Sequence, residues 1–452
     1  MRRSIHGLTA FALVSAAAAG PAAGSSFQLL EQSPARLGTA FSGTASMADD
    51  SASAFFNPAA MARFEDARLT LSGHVVAPEA DFRDDGSASL LAEPPMPVPG
   101  PAAKTDAVSI VPNLYWAHPL GERWTAGLAI TAPFGLLSEY PSNWRGRYHA
   151  TDSQLAVIGV NPSVAFAVTD RLSLGFGASW QYAEATLENR IDSFAACAGA
   201  GGTIEQCTLA HGGPANASAD GAVRIEGDDD AVVVNAGLHW QVSDATALGL
   251  SWRQGASFDL AGAAAFEPSS SCSTDPFCAG ALAVLQGPVA APLALPDTWT
   301  LSLTQDIAPG WRAHADIART EWSVLDDVVV RNAATGVAVS ELELGYEDTT
   351  RVALGADWQW RDGWLLRFGV ARDEAPQTDP GLATPRIPDE DRTWLSLGLH
   401  GELGASLSVD LGYAHLFVDD DVRIESVEQG VLLRGRFEAD VDVLGAQLNW
   451  RF

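Results

Sequence analysis

Apolar and polar residues alternate with a period of two through most of this 452-residue chain. Leu172, Leu174, Phe176, Ala178, Trp180 and Tyr182 alternate with Ser173, Gly175, Gly177, Ser179 and Gln181. Val232, Val234, Ala236, Leu238 and Trp240 alternate with Val233, Asn235, Gly237 and His239. Several runs hold the pattern for about ten residues, the length a tilted strand needs to cross a bilayer. Strands of soluble sandwiches stop at roughly 5–6 residues. The pattern predicts about fourteen strands, an even number that suits a bacterial single-chain barrel. They fall near 67–77, 106–117, 123–133, 153–168, 171–190, 229–242, 246–266, 296–307, 311–330, 349–361, 364–375, 391–403, 407–426 and 437–452.

The connections alternate as well. Thr169-Asp170, Ser243-Asp244, Ala308-Pro309-Gly310, Arg361-Asp362-Gly363 and Leu403-Gly404-Ala405 are short, whereas 191–228 and 267–295 are long. Short turns on one side and long loops on the other are the outer-membrane arrangement. The expected fold is therefore all-β: an antiparallel transmembrane β-barrel with its long loops outside the cell. Trp116, Trp124, Trp240, Trp311, Trp358, Trp360, Trp364 and Trp450 lie near the short turns or the C-terminus. Trp180, Trp252, Trp299, Trp322 and Trp394 lie nearer the long loops. Two girdles at the two membrane interfaces are expected from this distribution. The chain ends on Asn449-Trp450-Arg451-Phe452, and a closing strand with a terminal aromatic resembles the signal read by the outer-membrane assembly machinery.

The N-terminus departs from the alternation. Arg2 and Arg3 followed by an apolar stretch from Leu8 to Val14 and then small residues read as a signal peptide, 1–24. Residues 25–65 mix Ser, Ala, Gly and Asp with scattered apolar residues, and are expected either to plug the lumen or to hang outside as a tail. The barrel itself is expected over 66–452.

Hydrophobic residues make up 47% of the chain, spread thinly among 42 glycines, and no run is long enough for a membrane-spanning helix. The formal net charge of −29 argues against nucleic acid as a partner. Cys197 and Cys207, then Cys272 and Cys278, form two close pairs in the two longest loops, where export permits disulfides. Three connectivities are open, local pairing is the expected one, and neither spacing suits a metal site. The histidines are scattered over different strands and loops, and no nucleophile elbow or phosphate loop appears, so neither an enzyme nor a cofactor is indicated.

Phe27-Gln28-Leu29-Leu30-Glu31-Gln32-Ser33, Leu37-Gly38-Thr39-Ala40-Phe41-Ser42-Gly43, Ala48-Asp49-Asp50-Ser51-Ala52 and Asn57-Pro58-Ala59 together resemble the N-terminal hatch of FadL/TodX-type transporters. Ala132-Pro133-Phe134-Gly135-Leu136, with Tyr140, Trp144, Gly146, Arg147 and Tyr148, is similar to that family's third strand and the loop after it. Asn161-Pro162-Ser163-Val164-Ala165 is similar too. These motifs cover roughly the first 180 residues; the remainder matches in strand pattern and ending. The resemblance implies a fourteen-stranded barrel, plugged by its hatch, that passes long-chain fatty acids or similar hydrophobic molecules across the Gram-negative outer membrane. It implies a monomer surrounded by lipid and lipopolysaccharide, with substrate leaving sideways through a gap at a kink in strand three. Pro133, Phe134 and Gly135 map to that kink. Proline lacks an N–H and glycine loosens the backbone, so both weaken strand pairing; the other reading is that Pro133 simply ends the strand at the outer rim.

A fatty-acid carboxylate inside a barrel calls for a cation or hydrogen-bond donors. Arg253, Arg351 and Arg367 point into the lumen by alternation, and Arg147 lies in the family-like loop. Each is also a natural ion-pair partner for the many carboxylates. Phe27 and Gln28 match the hatch tip beside the family's pocket. In 267–295, Phe277, Leu282, Val284, Leu285, Val289, Leu293 and Leu295 offer either an external landing surface for substrate or apolar residues that fold back onto the rim. Uptake of aromatic hydrocarbons, an adhesin-like barrel without transport and an open porin are the competing readings. The plug disfavours the last.

Overall fold

The computed structural model describes residues 26–419 and 421–452, so the signal-peptide expectation lies outside the described residues. The strands close into one antiparallel barrel of fourteen. In chain order they are β1 (Arg68–Asp84), β2 (Ser109–Pro119), β3 (Trp124–Glu139), β4 (Asp152–Ala167), β5 (Leu172–Ile191), β6 (Gly221–Ser243) and β7 (Thr246–Arg253). Then follow β8 (Thr298–Ala308), β9 (Trp311–Thr320), β10 (Thr349–Arg361), β11 (Trp364–Asp373), β12 (Arg392–Glu402), β13 (Leu407–Val418) and β14 (Val431–Arg451). Closure is made by β1, which pairs with β14 from Arg68↔Arg451 to Asp84↔Gly435 and with β2 on its other side.

The alternation read from sequence becomes the two faces of this wall. On β10 to β13, Val352, Leu354, Phe368, Val370, Leu395, Leu397, Leu411 and Tyr413 are exposed outward, while Ala353, Ala371, Ser396 and Ala414 are buried inward. Closing the sheet pairs the strand edges over almost all of the wall inside the bilayer, where water is not available to serve.

The outer ends of β1, β3 and β6 run beyond the predicted limits, whereas β7, β9 and β13 stop before the expected 266, 330 and 426, where each strand breaks off and the chain resumes as separate strands Ser257–Glu267, Asp327–Asn332 and Val422–Glu428. Of the long connections, 191–228 shrinks because β6 already begins at Gly221. The segment 267–295 is only partly loop, since Gly287–Ala294 is a strand paired with Ser257–Glu267. What remains is a helical cap: Ser193–Gly199, Ile204–His211, Ser270–Thr274 and Pro276–Leu285. Both disulfides lie in it and pair locally, Cys197 with Cys207 and Cys272 with Cys278. The girdle expectation needs one correction. Trp180, Trp299, Trp116, Trp124, Trp240, Trp311, Trp358 and Trp360 are exposed on the outer face, but Trp322 and Trp394 are fully buried and belong to the interior.

Residues 26–64 fill the lumen. Almost all are buried, in two single-turn helices (Pro34–Leu37 and Ser53–Phe56) and a 3-10 helix, Pro58–Arg63. Their backbone touches the wall where the wall has no side chain: a β-carbon at Gly175 would overlap the amide of Ala59, and one at Gly249 the carbonyl of Ala45. Polar pins hold the rest. Asp316 accepts from the amides of Gly43 (2.5 Å) and Thr44 (3.1 Å). Arg36 pairs with Asp50 at 2.8 Å, and Arg312 with Asp49 at 2.9 Å. Asn57 donates to the carbonyls of Ala45 (2.6 Å) and Leu238 (3.0 Å), and its Oδ1 caps the 3-10 helix by accepting from Ala59 N. Asn57-Pro58-Ala59 is thus a cap, a helix-starting proline and a small residue against a wall glycine.

Candidate functional site: a lumen cavity beside a break in the wall

Among the described residues the wall is interrupted at one seam. β2 and β3 pair only from Leu114↔Ile130 down to Pro119↔Thr125. Above that level Ser109–Asn113 of β2 pair with β1 alone, and β3 beyond Ile130 pairs with β4 alone. The seam meets again higher up, where Glu139 N donates to Thr105 Oγ1 (3.4 Å). The β3–β4 register slips between Thr131 and Phe134, so Ala132 and Pro133 form a bulge, and the strand continues through Pro133 to Glu139 rather than ending there. A bulge with a proline in it turns the free edge of β3 away from β2.

That free edge is occupied from inside. Gln28 forms a bridge pair with Phe134, Leu29 N donates to Pro133 O (2.9 Å) and Gly135 N donates to Phe27 O (3.0 Å). The plug then reaches across the seam. Gln32 Nε2 donates to Ala132 O (2.7 Å) on the β3 side, while on the β2 side Tyr115 Oη donates to Gln32 O (2.6 Å) and Asn113 Nδ2 to Glu31 O (3.2 Å). Three residues of the plug stand in for a stretch of missing strand.

Two cavities flank this tail. The upper, of about 100 Å³, is almost wholly apolar and is lined by Phe27, Leu136, Leu155, Leu260, Leu293 and Leu344 among others. Phe27, one of its lining residues, meets Trp322 edge-on (centroids 5.0 Å) and lies 6.2 Å from Phe134. The lower cavity, also about 100 Å³, lies beneath and is mixed: Gln28, Pro133, Phe134, Gln181, Asn235, Arg253 and Arg351 line it. Phe27 and Gln28, adjacent in sequence, therefore face different rooms.

The four arginines separate. Arg253 and Arg351 line the lower cavity. Arg253 lies over the Phe55 ring (4.0 Å) and donates to Phe55 O, with no carboxylate partner among the described residues. Arg351 donates to Ala40 O (2.6 Å) and sits 3.9 Å from Asp373. The other two line neither cavity. Arg147 is fully buried in the outer loops, tied to Asp220 (2.6 Å) and to the carbonyls of Pro99 and Ala215. Arg367 is held between Asp410 and Asp357. Arg147 and Arg367 are thus each paired with carboxylates. The segment 267–295 splits too: Val289 and Leu293 line the upper cavity, Leu282 packs against the cap core, and Val284 is exposed.

A closed, lipid-facing barrel with a plugged lumen, internal cavities and a seam in its wall defines a plugged outer-membrane transport barrel. Residues 14–452 match the family model described as outer membrane protein transport protein (OMPP1/FadL/TodX). The chain is 26% identical over 441 residues to a long-chain fatty acid transport protein of Escherichia coli, covering 94% of each. It is 31% identical to outer membrane protein P1 of Haemophilus influenzae over 88% of this chain and 87% of that protein. Among solved structures, a Pseudomonas aeruginosa FadL homologue superposes with a TM-score of 0.85 at 25% identity, over 95% of this chain and all of that one. The Pseudomonas putida toluene transporter TodX superposes at 0.68 with 18% identity, over 94% and 99% of the two chains, a likeness of fold alone. The chain belongs to the FadL/TodX family of transport proteins of the Gram-negative outer membrane.

Proposed function

We propose that this protein carries long-chain fatty acids passively across the outer membrane and releases them sideways through the β2–β3 seam. The observation that carries the reading is the tail Phe27–Leu29 on the free edge of β3, which separates an apolar cavity from a cavity containing a cation and stands directly inside the break in the wall. An acyl chain enters the upper cavity because its walls offer almost wholly apolar surface, at about 25 cal/mol per Å² removed from water. Its carboxylate finds Arg253, whose guanidinium has a carbonyl and a ring but no carboxylate as partners among the described residues. Withdrawal of the tail joins the two rooms and uncovers the seam, so the chain slides into lipid without crossing a polar layer. No energy source or cofactor enters the scheme.

Relatives named as fatty acid transporters support this substrate. A second reading, uptake of aromatic hydrocarbons, is favoured by the Phe27, Phe134 and Trp322 cluster between the rooms. The test is uptake of labelled oleate and labelled toluene by a Gram-negative host lacking its own fatty-acid barrel, with the wild-type chain and with Arg253→Met. Oleate uptake that falls about tenfold in the variant, with toluene unchanged, supports the carboxylate role. Toluene uptake without oleate uptake replaces the first reading with the second.

A further inference from the structure

The lower cavity is more polar than a fatty acid requires. Gln181 on β5 and Asn235 on β6 both line it, and they are 2% and 3% exposed. Gln181 Oε1 and both polar side-chain atoms of Asn235 have no hydrogen-bond partner in the protein. On β4, Asn161 donates to Ala54 O (3.2 Å), but its Oδ1 likewise has none. Buried amides are nearly always paired, and an unpaired one is costly. Each has one acceptor oxygen whichever way the amide is turned. Thr298, Thr300 and Ser251 add hydroxyls to the same room. An alkyl chain or an aromatic ring satisfies none of these groups. An ionised carboxylate has no proton to give, so it leaves every amide oxygen unpaired. The acceptors call for hydroxyl donors on an uncharged head.

We propose that the lower cavity is a head-group site for acyl chains bearing hydroxyls, of which monoacylglycerol is the simplest form. The amides of Gln181 and Asn235 select the head, in a cavity that also reaches Pro133 of the bulge. This rests on the transport reading and names a substrate class beyond the free acid. The test uses labelled 1-O-octadecenylglycerol, an ether that esterases do not cleave, beside oleate and toluene in the host described above. Wild type, Gln181→Leu and Asn235→Leu are compared at equal amounts of folded barrel, measured by heat-dependent gel migration. Ether uptake above the empty vector, falling about tenfold in each variant with toluene unchanged, is the expected result. Oleate or toluene uptake by wild type without ether uptake overturns the proposal and spares the transport reading, as does an equal loss of all three compounds in the variants. Uptake of none of the three overturns both. If the variants do not fold, binding to the detergent-solubilised wild type decides: the ether should bind at least about tenfold tighter than 1-octadecene, and equal binding overturns the proposal.

Discussion

If the tail Phe27–Leu29 is the latch of the seam, loosening Phe27 should loosen β3 next to it and nothing else. The docked tail is held by two backbone hydrogen bonds to β3, by bonds from Ser26 N to Asp389 and from Gln28 Nε2 to Thr298 on its flanks, by the Gln32 and Glu31 contacts across the seam, and by the burial of Phe27 and Leu29, 3% and 2% exposed. Of the docking free energy the buried phenyl ring supplies about 2–3 kcal/mol. Phe27→Ala removes the ring and keeps the bonds, so the undocked fraction should rise by roughly 30- to 150-fold. Gly135 N is the reporter, because Phe27 O is its partner and it is released when the tail leaves. Hydrogen exchange in a peptide spanning 131–139 should quicken by that factor, whereas one from β12, far around the wall, should not change. Unaltered exchange at Gly135 refutes the latch, and faster exchange in both peptides refutes its being local.

Four further outcomes are expected. Asn57→Ala deletes three hydrogen bonds that pin the plug and should cost about 3 kcal/mol, read as earlier proteolysis within 26–64 while the folded barrel keeps its gel migration. Gly249→Val puts a side chain where the Ala45 carbonyl lies, and should displace the plug and lower the unfolding temperature of the whole protein. Cysteines at positions 28 and 134, which form a bridge pair, should cross-link under oxidation, halt oleate uptake and restore it on reduction. Removing Cys197–Cys207 by serine substitution should destabilise the cap by about 3 kcal/mol, seen as cleavage between 192 and 220 with the barrel intact.

The wall was almost fully legible from the period of two, because a barrel imposes one rule on every strand: apolar toward lipid, small or polar toward the lumen. That rule failed where the interior is itself apolar. Trp322 and Trp394 looked like girdle residues, yet one packs on Phe27 and the other on Phe41. Alternation placed Arg253, Arg351 and Arg367 inside, but their neighbours decide which is neutralised. Asp410 comes from β13 and Asp357 from β10, and their approach to Arg367 depends on register. Gln181 and Asn235 stood in plain view as the polar members of alternating runs; that they share one cavity follows only from the β5–β6 pairing. The pairing of Phe27–Leu29 with β3 leaves no periodic trace at all, since a bridge this short has no pattern to repeat.

The seam poses a problem that its latch solves. A barrel wall opened within the bilayer exposes amides and carbonyls to hydrocarbon, where each unpaired group costs several kcal/mol. Pro112 and Pro133, which flank the seam, remove an N–H on each side, so fewer donors need partners. The acceptors that remain on β3 are met by Leu29 N and Gln32 Nε2 of the plug. The closed state is therefore satisfied without β2. A latch much tighter than this would stay shut, and one much weaker would leave the edge unpaired. Between these limits, an acyl chain that displaces Phe27 from its aromatic neighbours shifts the balance with its own buried surface.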